Sequence, residues 1–443
     1  MSIGQDTVPA SPLLPPTGTP RTVPTGRLAR LIARIRDSGP IAAVLQSRGW
    51  RAASVVRRGN VRQYGMLVAL VVTVVFFQFT TDGTMLKPQN VTNVFLQNGY
   101  IIVMALGMLL IIVAGHIDLS VGSVAAFTGA IAAVMMVTYK IDPIVAGAAA
   151  LLIGGAIGAW QGFWVAYMRI PSFIVTLSGM LLFRGLTLFM LQGQPVGPFP
   201  ESFRAIASGF VPEPLGTIQD PLGPDMVRIT TLILAGLLCA GLIFMDLSSR
   251  REQLKYGFQV SPFRQFVARS VVLTVAIMFL AYRLAAFFGL PVVLLLMLVL
   301  IAIYMFITGR TVIGRRIYAV GGNAKAATLS GVKTKRMVFL TFVNMGVLAA
   351  LGGIVFAARI NSATPKAGNG FELDVIAATF VGGASAYGGV GTVAGAVIGA
   401  LFLGVLNIGM GLMGIGIDYQ FSIKALVLLG AVFVDVRGKN KDT

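Results

Sequence analysis

The chain has 443 residues, of which 56% are hydrophobic and 12% charged, with a mean hydropathy of +0.84. This composition excludes a soluble globule and predicts a polypeptide that crosses a bilayer many times. A single Cys excludes a disulfide scaffold, one His among 16 acids argues against a redox or multi-metal centre, and the net charge of +19 needs a distribution before it means anything.

That distribution is uneven. Arg21, Arg27, Arg30, Arg34, Arg36, Arg48, Arg51, Arg57, Arg58 and Arg62 crowd the N-terminal segment, and most other cations fall in loops on one side of the predicted spans. This is the positive-inside bias of a membrane protein and not a nucleic-acid footprint, so no nucleic-acid partner is expected. Residues 1–63 read as a cytoplasmic segment. Its first twenty-five residues are rich in Pro and Thr and are expected to be disordered. Leu28, Leu31, Ile32 and Ile35 then follow a helical spacing with Arg27, Arg30 and Arg34 between them, the pattern of a basic amphipathic helix on the inner leaflet. No cleavable signal peptide is expected, because the first apolar run starts near Tyr64.

From there the apolar runs predict spans near 64–80, 94–114, 119–139, 144–168, 172–192, 228–246, 267–288, 291–309, 336–357, 372–386, 391–413 and 419–436. With the N-terminus inside, the basic clusters at 250–269, 310–336 and 437–441 all land on the cytoplasmic side. The expectation is an all-α polytopic membrane protein with about 10–12 transmembrane helices. Both termini are expected to be cytoplasmic, with residues 64–436 in the transmembrane domain and 437–443 as a tail. The loop 193–227 carries seven Pro residues and is expected outside as a stiff lid, a docking loop or an ordinary connector. Val121–Ala126 resembles Val390–Gly395, each behind an acid (Asp118, Asp374), which suggests two weakly related halves.

Three segments stand out for chemistry. Gly115 to Ser123 interrupts an apolar stretch with His116, Asp118 and Ser120. Ionisable groups at membrane depth are retained mainly where they face protein or a water-filled path. A broken helix lining a pathway and a simple N-cap by Asp118 or Ser120 both fit. Asn361 to Asp374 is a second polar patch, with Glu372 and Asp374 either beside the path or favoured as acids at a helix N-terminus. Asn407 and Asn344 lie in spans, as does Arg184, for which Asp118 is a candidate partner. The small-residue run Gly154–Ala159 predicts close helix packing. The candidate pathway residues are therefore His116, Asp118, Ser120, Ser123, Asn361, Glu372, Asp374 and Asn407.

The third segment is the basic loop 310–335, containing Arg315, Arg316, Ala319, Gly321, Gly322, Asn323, Ala327, Ser330 and Gly331. Asn323 to Ser330 reads as a short helix closed by Gly331, exposed between two spans and shaped to receive a soluble partner. No Gly-x-x-x-x-Gly-Lys-[Ser/Thr] motif occurs, so ATP is not expected to bind through such a loop here. No catalytic residue, metal ligand or cofactor is expected.

Taken together, the motifs Ala114-Gly115-His116-Ile117-Asp118-Leu119-Ser120-Val121-Gly122, Ile170-Pro171-Ser172-Phe173-Ile174-Val175-Thr176-Leu177, Gly314 to Asn323 and Asn361 to Ala378 resemble the permease subunits of bacterial ABC monosaccharide importers. Within the ribose/xylose/galactose class, the xylose-type and multiple-monosaccharide permeases look most similar. The resemblance implies a homodimeric inner-membrane permease bound to a tandem-domain ABC ATPase, with a periplasmic sugar-binding protein docking outside. It also implies that Ala319–Gly331 is the coupling helix, and that the region from about Arg250 to Leu290 is an addition relative to ribose permeases. A branched-chain amino-acid permease, an ion-coupled secondary transporter using Asp118 and Glu372, and a membrane enzyme using His116 and Asp118 are the competing readings.

Overall fold

The computed structural model describes residues 58–220, 226–258, 260 and 262–439. The basic amphipathic helix expected around Leu28–Ile35 and the end of the tail lie outside these residues.

Eleven long helices carry the fold among the described residues. Helix α1 (Arg58–Thr80) leads through a turn to α2 (Pro88–Val113), which starts with Pro at its first position, where no amide partner is lost. A break follows, then α3 (Val121–Ala133), extended by a π turn (Val134–Thr138). Helix α4 (Pro143–Ala166) is capped by Asp142, whose carboxylate accepts from Ile144 N at 2.8 Å. Helix α5 (Ser172–Leu191) ends in left-handed Gln192. The segment beyond it holds a short helix α6 (Glu201–Ser208) and a two-stranded antiparallel pair, β1 (Thr217–Gln219) with β2 (Met226–Arg228). Helices α7 (Ile229–Lys255), α8 (Phe263–Ala285) and α9 (Val292–Arg310) come next. Then follow α10 (Val312–Gly322), α11 (Ala324–Leu329), α12 (Thr334–Ile360), α13 (Phe371–Val381), α14 (Val393–Leu412) and α15 (Ile417–Lys439). Nine of the described helices meet the length and hydropathy needed to span a bilayer.

Burial sorts the bundle. From Ile101 to Val113 helix α2 is apolar on every side, and it sits at the centre of the bundle, packed by α12, α14, α13 and α9. Helices α7 and α8 pack on each other and leave most of their surface to the surroundings. Arg283 of α8 ties this added pair to the α1–α2 turn by donating from Nε to Leu86 O at 2.7 Å.

One expected span changes character. The segment 372–386 is helical only over the 11 residues of α13. At 1.5 Å per residue that is about 16 Å, half of a bilayer core. Gly382 and Gly383 end the helix, and the chain continues as a second break to Thr392. The segment 193–227 is also better anchored than its Pro content suggests. Phe203 and Ala207 of α6 are buried, Val196 pairs with Ala363, and Phe199 N donates to Asn361 Oδ1 at 2.8 Å.

The small-residue run of α4 meets α12 almost backbone to backbone. A Cβ on Gly154 would stand 2.5 Å from Gly346 O, and one on Gly158 would stand 2.3 Å from Phe342 O. Close approach of this kind lets helices gain dispersion contacts where no hydrophobic drive exists between them. Gly346→Val places branched carbons into the Gly154 carbonyl. We expect it to lower stability by about 1–3 kcal/mol, read as an earlier thermal unfolding midpoint in detergent; an unchanged midpoint would show that α4 and α12 separate without cost.

Candidate functional site

Three segments meet at the end of the bundle that carries the basic loop: the first break (114–120), the second break (382–392) and the C-terminal end of α10. The contacts are between backbones. Gly389 N donates to Val113 O at 2.8 Å, and the Tyr318 hydroxyl donates to Gly391 O at 2.8 Å. A Cβ on Gly321 would lie 1.6 Å from Val113 O and 2.7 Å from Gly389 N, so no other residue fits there without displacement. Gly388 and Gly389 adopt φ of +78° and +72°, a region that favours glycine, and would meet Gly321 O and Gly322 Cα. Burial pushes the Tyr318 phenol up, which keeps its proton available for the bond to Gly391.

The sequence positions this junction through caps and faces. Thr311 accepts from Gly314 N to start α10, and Gly314, Ile317 and Val320 form its buried face while Arg315, Arg316 and Ala319 point away. Asn323 closes α10 and caps α11 by accepting from Ala326 N at 2.9 Å. Gly331, at φ +82°, ends the element where the sequence places the stop. One expected surface residue is inside: Ala327 is 5% exposed, packed into the hydrophobic core, because the single inward face of this short helix falls there. The side chain that α11 offers outward is Leu329, 90% exposed, with Lys325 and Ser330 also at the surface.

In the first break, Asp118 is 3% exposed and Ser120 fully buried. Asp118 Oδ1 accepts from Ser120 N at 2.8 Å and from Ser120 Oγ at 2.7 Å, while Gln161 Nε2 of α4 donates to Ser120 Oγ at 2.8 Å. Neither Asp118 nor Ser120 makes the side-chain cap expected of it on α3. The carboxylate instead bonds two residues ahead and fixes the bend. Ser123 Oγ donates to Ser120 O, and His116 lies beside the Phe342 ring. Gln161 was detectable only as a lone amide in an apolar run.

The acids of α13 have separate fates. Asp374 forms a buried ion pair with Lys424 Nζ at 2.9 Å. Lys424 is a cation within the last predicted span, a signal the sequence contains but that the expected site omitted. Glu372 is 9% exposed, and its Oε2 has no hydrogen-bond partner. That oxygen lies where a Cβ on Gly122 would be 2.6 Å away, at the first turn of α3 as well as of its own helix. Two positive helix ends therefore face it. The charge of Arg184 acts on Glu372, whereas Asp118, its expected partner, is held by Ser120. Asn361 Oδ1 accepts from Phe199 N of the 193–227 segment, and Asn407 Nδ2 donates to Asn98 Oδ1 at 3.1 Å while its own Oδ1 is buried without a partner. Asn344 likewise receives the Tyr304 hydroxyl across helices.

Lys424→Met strands the Asp374 carboxylate inside the bundle. Removing one partner of such a pair costs about 3–5 kcal/mol, and combining it with Asp374→Leu is expected to restore most of the loss. Thermal unfolding of the two variants in detergent checks this; equal damage by both would refute the pairing as the cause.

The family described as branched-chain amino acid transport system / permease component matches residues 90–434. The chain is 35% identical over 382 residues to the xylose transport system permease protein of Haemophilus influenzae, covering 86% of this chain and 98% of that one. It is 36% identical over 382 residues to the xylose transport system permease protein of Escherichia coli (86% and 93%). It is also 35% identical over 370 residues to the ribose import permease protein of Escherichia coli (83% and 92%). No solved structure matches. With the matched region spanning both breaks and the basic loop between them, the chain belongs to this family of transport-system permease components.

Proposed function

We propose that this chain is the permease subunit of an ATP-driven importer that carries monosaccharides, xylose or several pentoses and hexoses, across the bacterial inner membrane. Its partners would be a tandem-domain ABC ATPase on the basic face, a periplasmic sugar-binding protein on the opposite face and a second copy of the chain. The observation that carries this proposal is the glycine junction. A force applied to α10 and α11 has no compliant side chain to absorb it before it reaches the first residues after α2 and the break before α14. The relatives named for xylose and ribose support a neutral sugar as cargo. Such cargo needs no counter-charge, in keeping with an Asp374 that is already neutralised by Lys424.

In this mechanism ATP binding closes the partner's cleft and moves α11. The rigid junction shifts both breaks together, and α3 and α14 tilt to open a path. A permease for branched-chain amino acids is the second reading, and the family's own description favours it. Proteoliposomes holding the chain with its ATPase and binding protein separate the possibilities. ATP-dependent uptake of D-xylose or D-ribose is expected. Uptake of L-leucine in their place would establish the second reading, and full-rate uptake by the chain alone on an ion gradient would overturn both.

Within that assay, Leu329→Asp is expected to abolish ATP-driven uptake while leaving insertion intact, because a charge replaces the exposed apolar contact. Gly321→Ala should do the same while leaving the ATPase bound, since its methyl group forces Val113 away from Gly389. Wild-type uptake by both variants would remove the loop from the coupling path.

A further inference from the structure

At the end of the bundle opposite the basic loop, α2 and α12 enclose a half-open cavity of about 480 Å³. The size falls within the range of small-molecule sites. Gln97 and Tyr100 line it from α2, and Phe356, Arg359 and Ile360 from the last turns of α12. The Tyr100 ring lies 4.2 Å from Phe371 at a tilt of 32°, and Phe356 lies 4.9 Å from Phe371, so the two aromatic rings that line the cavity are backed by a third. Arg359 has its Nε buried without a hydrogen-bond partner. A guanidinium is always charged and offers five donors, and the one buried N–H left unpaired on this half-buried side chain costs free energy that an accepting ligand would recover.

We propose that this cavity is a receiving site for a neutral monosaccharide, held by aromatic faces on one side and by Arg359, Gln97 and Tyr100 on the other. The aromatic wall suits the C–H face of a sugar ring. An amide and a phenol both donate and accept, as do sugar hydroxyls, whereas a phosphate would call for further cations that the lining lacks. The place in the fold adds to this. Asn361, the next residue after Ile360, holds the 193–227 segment over this end of the bundle. Phe371 opens α13, whose far end leads into the second break and the glycine junction. Occupancy of the site therefore bears on the helix that leads into the second break. The assignment of a sugar as ligand rests on the function proposed above, but the cavity and its unpaired donor do not.

A thiol placed at Ile360 tests the site without relying on transport. In the full complex carrying Ile360→Cys with Cys239→Ala, D-xylose or D-ribose should slow maleimide labelling in a saturable way, and inorganic phosphate should not. Adding Arg359→Gln should raise the half-protecting sugar concentration about tenfold, equivalent to roughly 1.4 kcal/mol. Leu96→Cys, across the cavity on α2, repeats the measurement if the Ile360 variant fails to assemble. Labelling indifferent to sugar, or slowed equally by phosphate, overturns the proposal. Protection by sugar in a complex that shows no ATP-driven sugar uptake would leave the site standing and refute the transport function instead.

Discussion

The structure turns on a junction where three stretches of backbone touch because no Cβ stands between them. Gly321, Gly388 and Gly389 bring the two breaks and the end of α10 within van der Waals contact. Inside a membrane, a broken helix frees amides and carbonyls that lipid cannot satisfy. Here the carbonyl freed at the end of α2 is taken by Gly389 N, and the carbonyl of Gly391 by Tyr318. The contacts that make the breaks tolerable thus also fasten them to the exposed basic loop. Structural necessity and mechanical linkage are the same set of bonds.

The charges inside the bundle are each handled by a different local device, which explains how one apolar core holds them together. Asp118 is held by hydrogen bonds from Ser120, two residues ahead, which Gln161 reaches from α4. Asp374 is neutralised by Lys424 on α15. Glu372 relies on two helix ends and the more distant charge of Arg184. Intramembrane ionisable groups persist only with such compensation. Glu372, with one oxygen unbonded beside Gly122, is the least settled of the three and lies between the first turn of α3 and the loop before α13.

Much of this was legible beforehand, for identifiable reasons. Hydropathy alone marks the spans, because twenty apolar residues in a row have few other fates in water. The break at 114–120 shows as polar residues between glycines, and α11 shows through Asn323 and Gly331, whose conformational roles are local. The resemblance in the repeat is also real in placement, since α3 and α14 each begin just after a break. The matched hexapeptides, however, open three residues apart relative to their helices, at Val121 and Val393.

What the sequence determined by itself was therefore everything set by neighbours along the chain: helix starts and stops, membrane residence and the two interruptions. Tertiary structure decided which groups meet. Asp118 is held by Ser120 and Asp374 by Lys424, Ala327 turns inward while Leu329 turns out, Asn361 reaches Phe199 and Asn407 reaches Asn98, and an expected 15-residue span became an 11-residue half-helix. The physical reason is range. Caps, propensities and hydropathy act over a few residues, whereas an ion pair between positions 374 and 424, or a glycine contact between 113 and 321, exists only once the helices have packed.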